Sequence, residues 1–200
     1  LDFLFEIMEK TKEQNLYKMV NTLLVDFNAR NPKNLRGMSL LANSYKLEKK
    51  YNASLELYYR LHQLEPSDDK TLNNISTVFI KCKKFNEAYE YVFEALKINP
   101  KNLEAQNNMG VVLHAQKKYE KSIEAFKSAI ELNSLFAEPY YGIGVTNFEM
   151  GKFEKAIKYY KDTIKINKKH YNAHNALVWP LILTGNFKEG WKTYEYRWKV

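Results

Sequence analysis

Two kinds of apolar stripe alternate along the chain, both at helical spacing. Between residues 103 and 134, Met109, Val112 and Leu113 fall at i, i+3 and i+4, and Ile123, Phe126 and Ile130 at i, i+3 and i+7. Each set lines one face of an amphipathic helix. The polar run Gln116, Lys117 and Lys118 separates them just before Tyr119, which predicts two helices joined by a short turn. The same figure returns at a step of 34 residues. Tyr17, Tyr51, Phe85, Tyr119, Phe153 and Phe187 form one aromatic series. Seven residues later come Leu24, Tyr58, Val92, Phe126, Tyr160 and Tyr194, and Pro32, Pro66 and Pro100 keep the same step before Ser134 and Lys168 take their place. No insertion or deletion interrupts it. In a chain that is 14% aromatic, six aromatics in phase are a repeat and not an accident.

Small residues mark where the two helices of a unit touch: Gly110 with Ser122 and Ala129, then Gly144 with Ala156 and Thr163. A bulky residue there would push the helix axes beyond the usual 8–10 Å or so. The pairs N-P, E-P and N-S end the first four units, as helix-stopping turns do. This pattern resembles the tetratricopeptide repeat (TPR) family: a 34-residue period, small residues at unit positions 8 and 20, an aromatic at 24 and proline at 32. The resemblance covers the whole chain, as units 1–34, 35–68, 69–102, 103–136, 137–170 and 171–200. It implies an all-α fold, a single right-handed αα-solenoid domain of about six units and twelve antiparallel helices. The first unit departs from the pattern at Met8 and Val20. The sixth departs at Val178 and at Pro180, where a proline inside a helix costs roughly 3 kcal/mol; a kink or a broken helix is expected there.

Charge adds little. The net charge is +8, but only Arg30, Arg36, Arg60 and Arg197 are arginines, and the lysines often stand beside glutamate. That describes a solvated surface, and no nucleic-acid partner is expected. No apolar run approaches the roughly 18 residues of a membrane helix, so no membrane partner is expected. Cys82 is the single cysteine, which rules out a disulfide within the chain and fits a reducing, cytoplasmic compartment. The chain begins at Leu1 and not at Met, so a fragment of a longer protein is expected.

Catalytic constellations are missing. There is no GxGxxG, phosphate loop, GxSxG or HExxH. His170 and His174 stand i, i+4 in HYNAH, but His170 falls in a turn and no carboxylate or cysteine is near in sequence. Lysines flank Cys82, with no base indicated. Neither an enzymatic activity, a metal nor a cofactor is expected of these residues.

The TPR resemblance implies instead a binding groove built from the first helix of each unit, at unit positions 2, 5, 6, 9, 12 and 13. In units two and three it holds a basic set, Arg36, Lys46, Lys70 and Lys81. In units four to six it holds Val111, His114, Tyr141, Val145, Phe148, Trp179 and Ile182. Asparagines run between them: Asn43, Asn73, Asn74, Asn107, Asn108 and Asn175. A side-chain amide donates and accepts, so it can pair with the backbone of an extended peptide whatever its side chains. The series is similar to the asparagine ladder of O-linked N-acetylglucosamine transferases. The clamp of chaperone-tail binders is not matched: Phe5, Glu9, Leu40, Lys70 and Asn74, or Ser39, Asn43, Asn74, Glu104 and Asn108, would have to supply it. The expected partner is a protein or peptide.

The end of the chain, NFKEGWKTYEYRWKV, is unusual. Trp191, Tyr194 and Trp198 fall at i, i+3 and i+7, whereas a terminal repeat normally turns a polar face outward. Either more chain follows or the edge is a docking surface, including one for self-association. Gly190 replaces the usual alanine, and Gly185 is expected to cap the helix before it. The stretch Gly185, Asn186, Phe187, Glu189, Gly190, Trp191, Tyr194, Glu195, Arg197, Trp198 also resembles a junction in bacterial proteins, where the last repeat leads into a glycosyltransferase-like domain. That resemblance implies a second role, the substrate-recruiting arm of a transferase, inactive alone.

Overall fold

A computed structural model describes residues 14–196. Eleven helices fill the described residues, with no strand among them. They are α1 (Gln14–Arg30), α2 (Leu35–Leu47), α3 (Tyr51–Leu64), α4 (Asp69–Lys81), α5 (Phe85–Ile98), α6 (Leu103–Ala115), α7 (Tyr119–Leu132), α8 (Ala137–Glu149), α9 (Phe153–Ile166), α10 (Tyr171–Leu183) and α11 (Phe187–Tyr196). From α2 onward every first helix opens at a predicted unit boundary, and every second helix opens on an aromatic of the 34-residue series. The fold is the expected all-α array of helix pairs of the αα-solenoid class. The predicted helix over Met8 lies outside the described residues, as do Arg197 and Trp198.

The chain divides into two compact units, Leu1–Asn99 and Pro100–Val200. In the first, α2 pairs with α3 and α4 with α5, and α1 packs on α2. In the second, α6 pairs with α7, α8 with α9 and α10 with α11.

Local chemistry explains why the helices start and stop at these residues. The last residue of a repeat caps the next first helix: Asn34 accepts from the Gly37 N–H, Asp68 from Thr71, Asn102 from Ala105. Such caps satisfy amides that the helix leaves unpaired. At the turn inside each repeat the chain enters the left-handed region, at Lys49, Lys83, Lys117, Gly151 and Gly185. Each is followed by a 6→1 bond, as from the Lys84 N–H to Phe79 O (2.9 Å) or the Asn186 N–H to Leu181 O (2.9 Å). This is the Schellman ending, which favours glycine; the expected cap at Gly185 is in place.

The small positions work as the spacing predicts. Ser122 Oγ donates to Gly110 O at 2.7 Å and Ser54 Oγ to Ala42 O at 2.8 Å, each joining unit position 20 to position 8. The buried aromatics Tyr58, Phe126 and Tyr160 fill the core beside them. Val178 at position 8 of the last repeat is buried too, and its opposite number is Gly190. One expectation is corrected: α10 is not broken at Pro180 but runs through it to Leu183. The proline stands near the helix end, where its missing N–H forfeits a single bond. Its carbonyl accepts from the Thr184 N–H (3.1 Å) and Thr184 Oγ1 (2.8 Å), and its ring is buried.

Candidate functional site

The basic set of the first unit is spread along two helices. Arg36 and Lys70 stand in the first turns of α2 and α4, Lys46 and Lys81 near their ends. Ten residues of helix separate Arg36 from Lys46 and eleven separate Lys70 from Lys81, which holds the members of each pair about 15–17 Å apart. The structure joins Lys46 to Asn74: its ammonium donates to Asn74 Oδ1 at 3.1 Å and lies 5.8 Å from the centre of the Tyr58 ring. Arg36, Lys70 and Lys81 are exposed.

The asparagines prove to be of several kinds. Asn43 is committed on both ends, its amide donating to Ser39 O (3.1 Å) and its Oδ1 accepting from the Tyr58 hydroxyl (2.8 Å). It ties α2 to α3. Asn73 is buried, Asn108 is half-buried, and Asn175 is exposed on α10. Asn107 stands apart, because its Oδ1 is buried and has no hydrogen-bond partner. An orphaned buried acceptor costs about 1–3 kcal/mol, so it asks for an explanation.

Asn107 lines a cavity of about 250 Å³ together with Val111, His114, Phe126, Glu138, Tyr141, Gly142 and Val145. Helices α6 and α8 supply the walls and Phe126 of α7 the floor. Sequence reasoning named Asn107, Val111, His114, Tyr141 and Val145 and missed Glu138 and Gly142. Glu138 was readable, since it holds unit position 2, as Arg36 and Lys70 do. Gly142 was not. It occupies position 6, where units three and four carry Asn74 and Asn108, and its reason is steric: an added Cβ would stand 2.3 Å from Phe126 Cζ.

Thr146 Oγ1 donates to Gly142 O at 2.8 Å and stands 3.1 Å from His114 Nδ1. Burial lowers the His114 pKa, which the more distant Glu149 charge only partly opposes, and the ring stays neutral near pH 7. Glu138 accepts from His170 Nε2 at 3.3 Å. His170 in turn accepts from the Ala173 N–H on Nδ1 (3.0 Å) and so caps α10. HYNAH is thus a capping device: His174 Nε2 contacts Lys168 O at 3.0 Å. Among the described residues no group of three His, Cys, Asp or Glu could hold a metal ion. No described helix is long and apolar enough to cross a membrane.

Tyr141 and Phe148 are half-buried, packed on the cluster of Ala156, Tyr160, Leu177 and Leu181. Tyr141 rests 4.9 Å from the His170 ring and 5.8 Å from Tyr160, and burial raises its pKa. Trp179 is 63% exposed. Leu183, Phe187 and Trp191 are also exposed at this end, and Trp191 meets Tyr194 edge-on at 6.0 Å.

Two models of the tetratricopeptide repeat match the chain, over residues 69–102 and 101–169, which together span half of it. No curated protein matches it. Among solved structures, pilF of Pseudomonas aeruginosa is similar, at 16% identity over 99% of this chain and 90% of that one, with a TM-score of 0.76. The thermophilic TPR protein TTC0263 of Thermus thermophilus is 18% identical over 82% of this chain and 90% of that one, with a TM-score of 0.73. YrrB, described as a TPR protein with an unusual peptide-binding site, is 16% identical over 86% and 89%, with a TM-score of 0.62. At these identities the structural likeness carries the fold alone. The matched repeats, the 34-residue register of the helices and their small-residue contacts together make the chain a member of the tetratricopeptide repeat family.

Proposed function

We propose that the protein is an interaction scaffold that holds an extended peptide, or a partner helix, against the first helices of its repeats. The observation that carries this is the cavity between α6 and α8. It combines apolar walls with the polar side chains of Asn107, His114 and Glu138. Asn74 on α4 and Asn108 on α6 carry further amides on first helices. Arg36, Lys70 and Lys81 supply exposed cations that suit acidic residues of a partner. YrrB, whose description includes a peptide-binding site, is a precedent for such use of the fold. The test is a photo-crosslinking amino acid placed at position 145, in the cavity, and separately at Glu124, on a second helix. Crosslinks of endogenous protein from position 145 and not from 124 support the groove. The reverse pattern overturns it. Unchanged partner affinity after Asn74→Ala and Asn108→Ala would remove the ladder while leaving the groove.

A second reading, the recruiting arm of a larger glycosyltransferase-like enzyme, is favoured by the stretch from Gly185 to Trp198 and by the exposed Phe187 and Trp191 within it. The intact mass of the endogenous protein decides: a mass far above 23.7 kDa supports the arm, and one close to it sinks the idea.

A further inference from the structure

The first helices of the two units differ in charge. In the first unit, α2 and α4 carry Arg36, Lys46, Lys70 and Lys81 against a single acid, Asp69. In the second unit, α6, α8 and α10 hold no lysine or arginine in their thirty-nine residues, where the chain's overall share of 31 in 200 would place about six. Their acids are Glu104, Glu138 and Glu149, and all three are exposed. The lysines of this unit stand on its second helices, eight of them, and in the turns. A first helix can carry cations in this fold, since the equivalent helices of the first unit hold four. Among the described residues no lysine or arginine forms an ion pair with the three glutamates, and Glu138 meets only His170. Helix α8 packs against both α6 and α10. Val111, Tyr141, Val145 and Phe148 are half-buried on these helices, and Trp179 is 63% exposed. Glu138 lines the cavity beside Tyr141, and the Glu149 charge acts on His114 and Tyr160. Acids and apolar groups therefore share one wall.

From this we infer that the first-helix wall of the second unit takes a basic, apolar segment of the partner. Lysine or arginine side chains meet Glu104, Glu138 and Glu149, and apolar side chains meet Val145, Phe148 and Trp179. Three exposed carboxylates around an apolar surface make a field of one sign. A cation brought there by a ligand meets no competing cation on these helices. An acidic segment would meet like charges, which costs affinity and rejects it. A purely apolar segment would cover the wall and strip water from the glutamates without replacing it. The inference rests on the groove reading and adds the sign of charge that this part of the groove selects, opposite to that suited to Arg36, Lys70 and Lys81 in the first unit.

The experiment uses the whole chain as bait for a phage-displayed library of random dodecapeptides. Enriched sequences are resynthesised with a fluorescein label, and their affinity is read by anisotropy. A photo-crosslinker at position 145, or at 124, reports where each one binds. The chain's net charge of +8 attracts acidic peptides non-specifically, so a basic consensus is the result that its overall charge opposes. The expected result is enriched peptides with two or more lysines or arginines among apolar residues, crosslinked from position 145. On the triple variant Glu104→Gln, Glu138→Gln, Glu149→Gln their affinity should fall about five- to twentyfold at low salt, and the gap should close as sodium chloride is raised to about 0.5 M. The control variant Arg36→Gln, Lys70→Gln, Lys81→Gln should not weaken them. Circular dichroism checks that both variants fold. Enriched peptides without basic residues, or basic ones whose affinity is the same on the glutamate-to-glutamine variant, overturn the inference and leave the groove standing. Crosslinks from position 124 alone, or no enriched peptide at all, overturn the groove and the inference with it.

Discussion

Gly142→Ala is the sharpest test of how the cavity is built, because the sign of its effect is in question. In an ordinary helix interior, glycine to alanine stabilises by about 0.8–1 kcal/mol, since alanine loses less backbone freedom on folding. Here the added Cβ would stand 2.3, 2.6 and 2.7 Å from three carbons of the Phe126 ring, where carbon contacts normally lie at about 3.5–4.0 Å. The ring cannot simply retreat. An added Cβ at Gly110 would likewise stand 2.5 Å from Phe126 Cδ1, so the phenyl group, 1% exposed, packs against two glycines. Overpacking of this kind costs about 1–3 kcal/mol, and a clash this deep belongs at the upper end. After the propensity gain is subtracted, the net loss is about 2 kcal/mol. Urea unfolding followed by circular dichroism is the assay. Tryptophan fluorescence would not serve, since all three tryptophans lie after residue 178. Phe126→Leu should abolish the penalty, so that Gly142→Ala becomes neutral or stabilising in that background, a coupling of roughly 2 kcal/mol. If Gly142→Ala raises the urea midpoint of the otherwise wild-type chain, the ring is not held as described, and the floor of the cavity is wrong.

Four further outcomes are expected. Asn107→Leu, which deletes the orphaned acceptor, should raise the stability of the unliganded chain by about 1–3 kcal/mol; a loss of stability by urea titration would mean that Oδ1 is satisfied in solution. Replacing Lys49, Lys83 and Lys117 by glycine, as at Gly151 and Gly185, should relieve left-handed strain and raise stability by up to about 1 kcal/mol per site, seen as a higher melting temperature; an unchanged temperature in the triple variant refutes the strain. His114 has a folded pKa below its ordinary 6.5, so the unfolded chain binds the extra proton first. Stability should be flat above pH 6.5 and fall as the pH drops below it, and His114→Gln should flatten the acid limb of a pH series of urea midpoints. Self-association through the C-terminal edge should appear as a sedimentation coefficient that rises with concentration and is restored to the monomer value by Trp191→Lys; a wild-type value independent of concentration refutes it.

The helix boundaries were legible because a repeat prints the same physical requirement many times. An aromatic opens each second helix from Tyr51 to Phe187, and Asn34, Asp68 and Asn102 cap the first helices in phase. Repetition lets weak local signals add until the register is unambiguous. Pro180 shows the limit: a propensity rule predicts a break, but the cost depends on where in the helix the proline stands and on what its carbonyl does. A buried ring and two bonds from Thr184 keep α10 whole.

The site was legible only in part, for a related reason. Groove positions can be counted along a repeat, so Asn107, His114 and Tyr141 were found by register alone. What each asparagine does cannot be counted. Asn43 and Asn107 both look like rungs of one ladder in the sequence. Asn43 is consumed by the Tyr58 hydroxyl and Ser39 O, and Asn107 keeps an acceptor unpaired. The difference comes from residues far away in sequence. Phe126 needs a slot, Gly142 provides it at a position that carries asparagine in the two preceding units, and the space so opened brings Asn107, His114 and Glu138 around one cavity. What Gly142 answers to is the Phe126 ring, sixteen residues away, so no count along the repeat finds it.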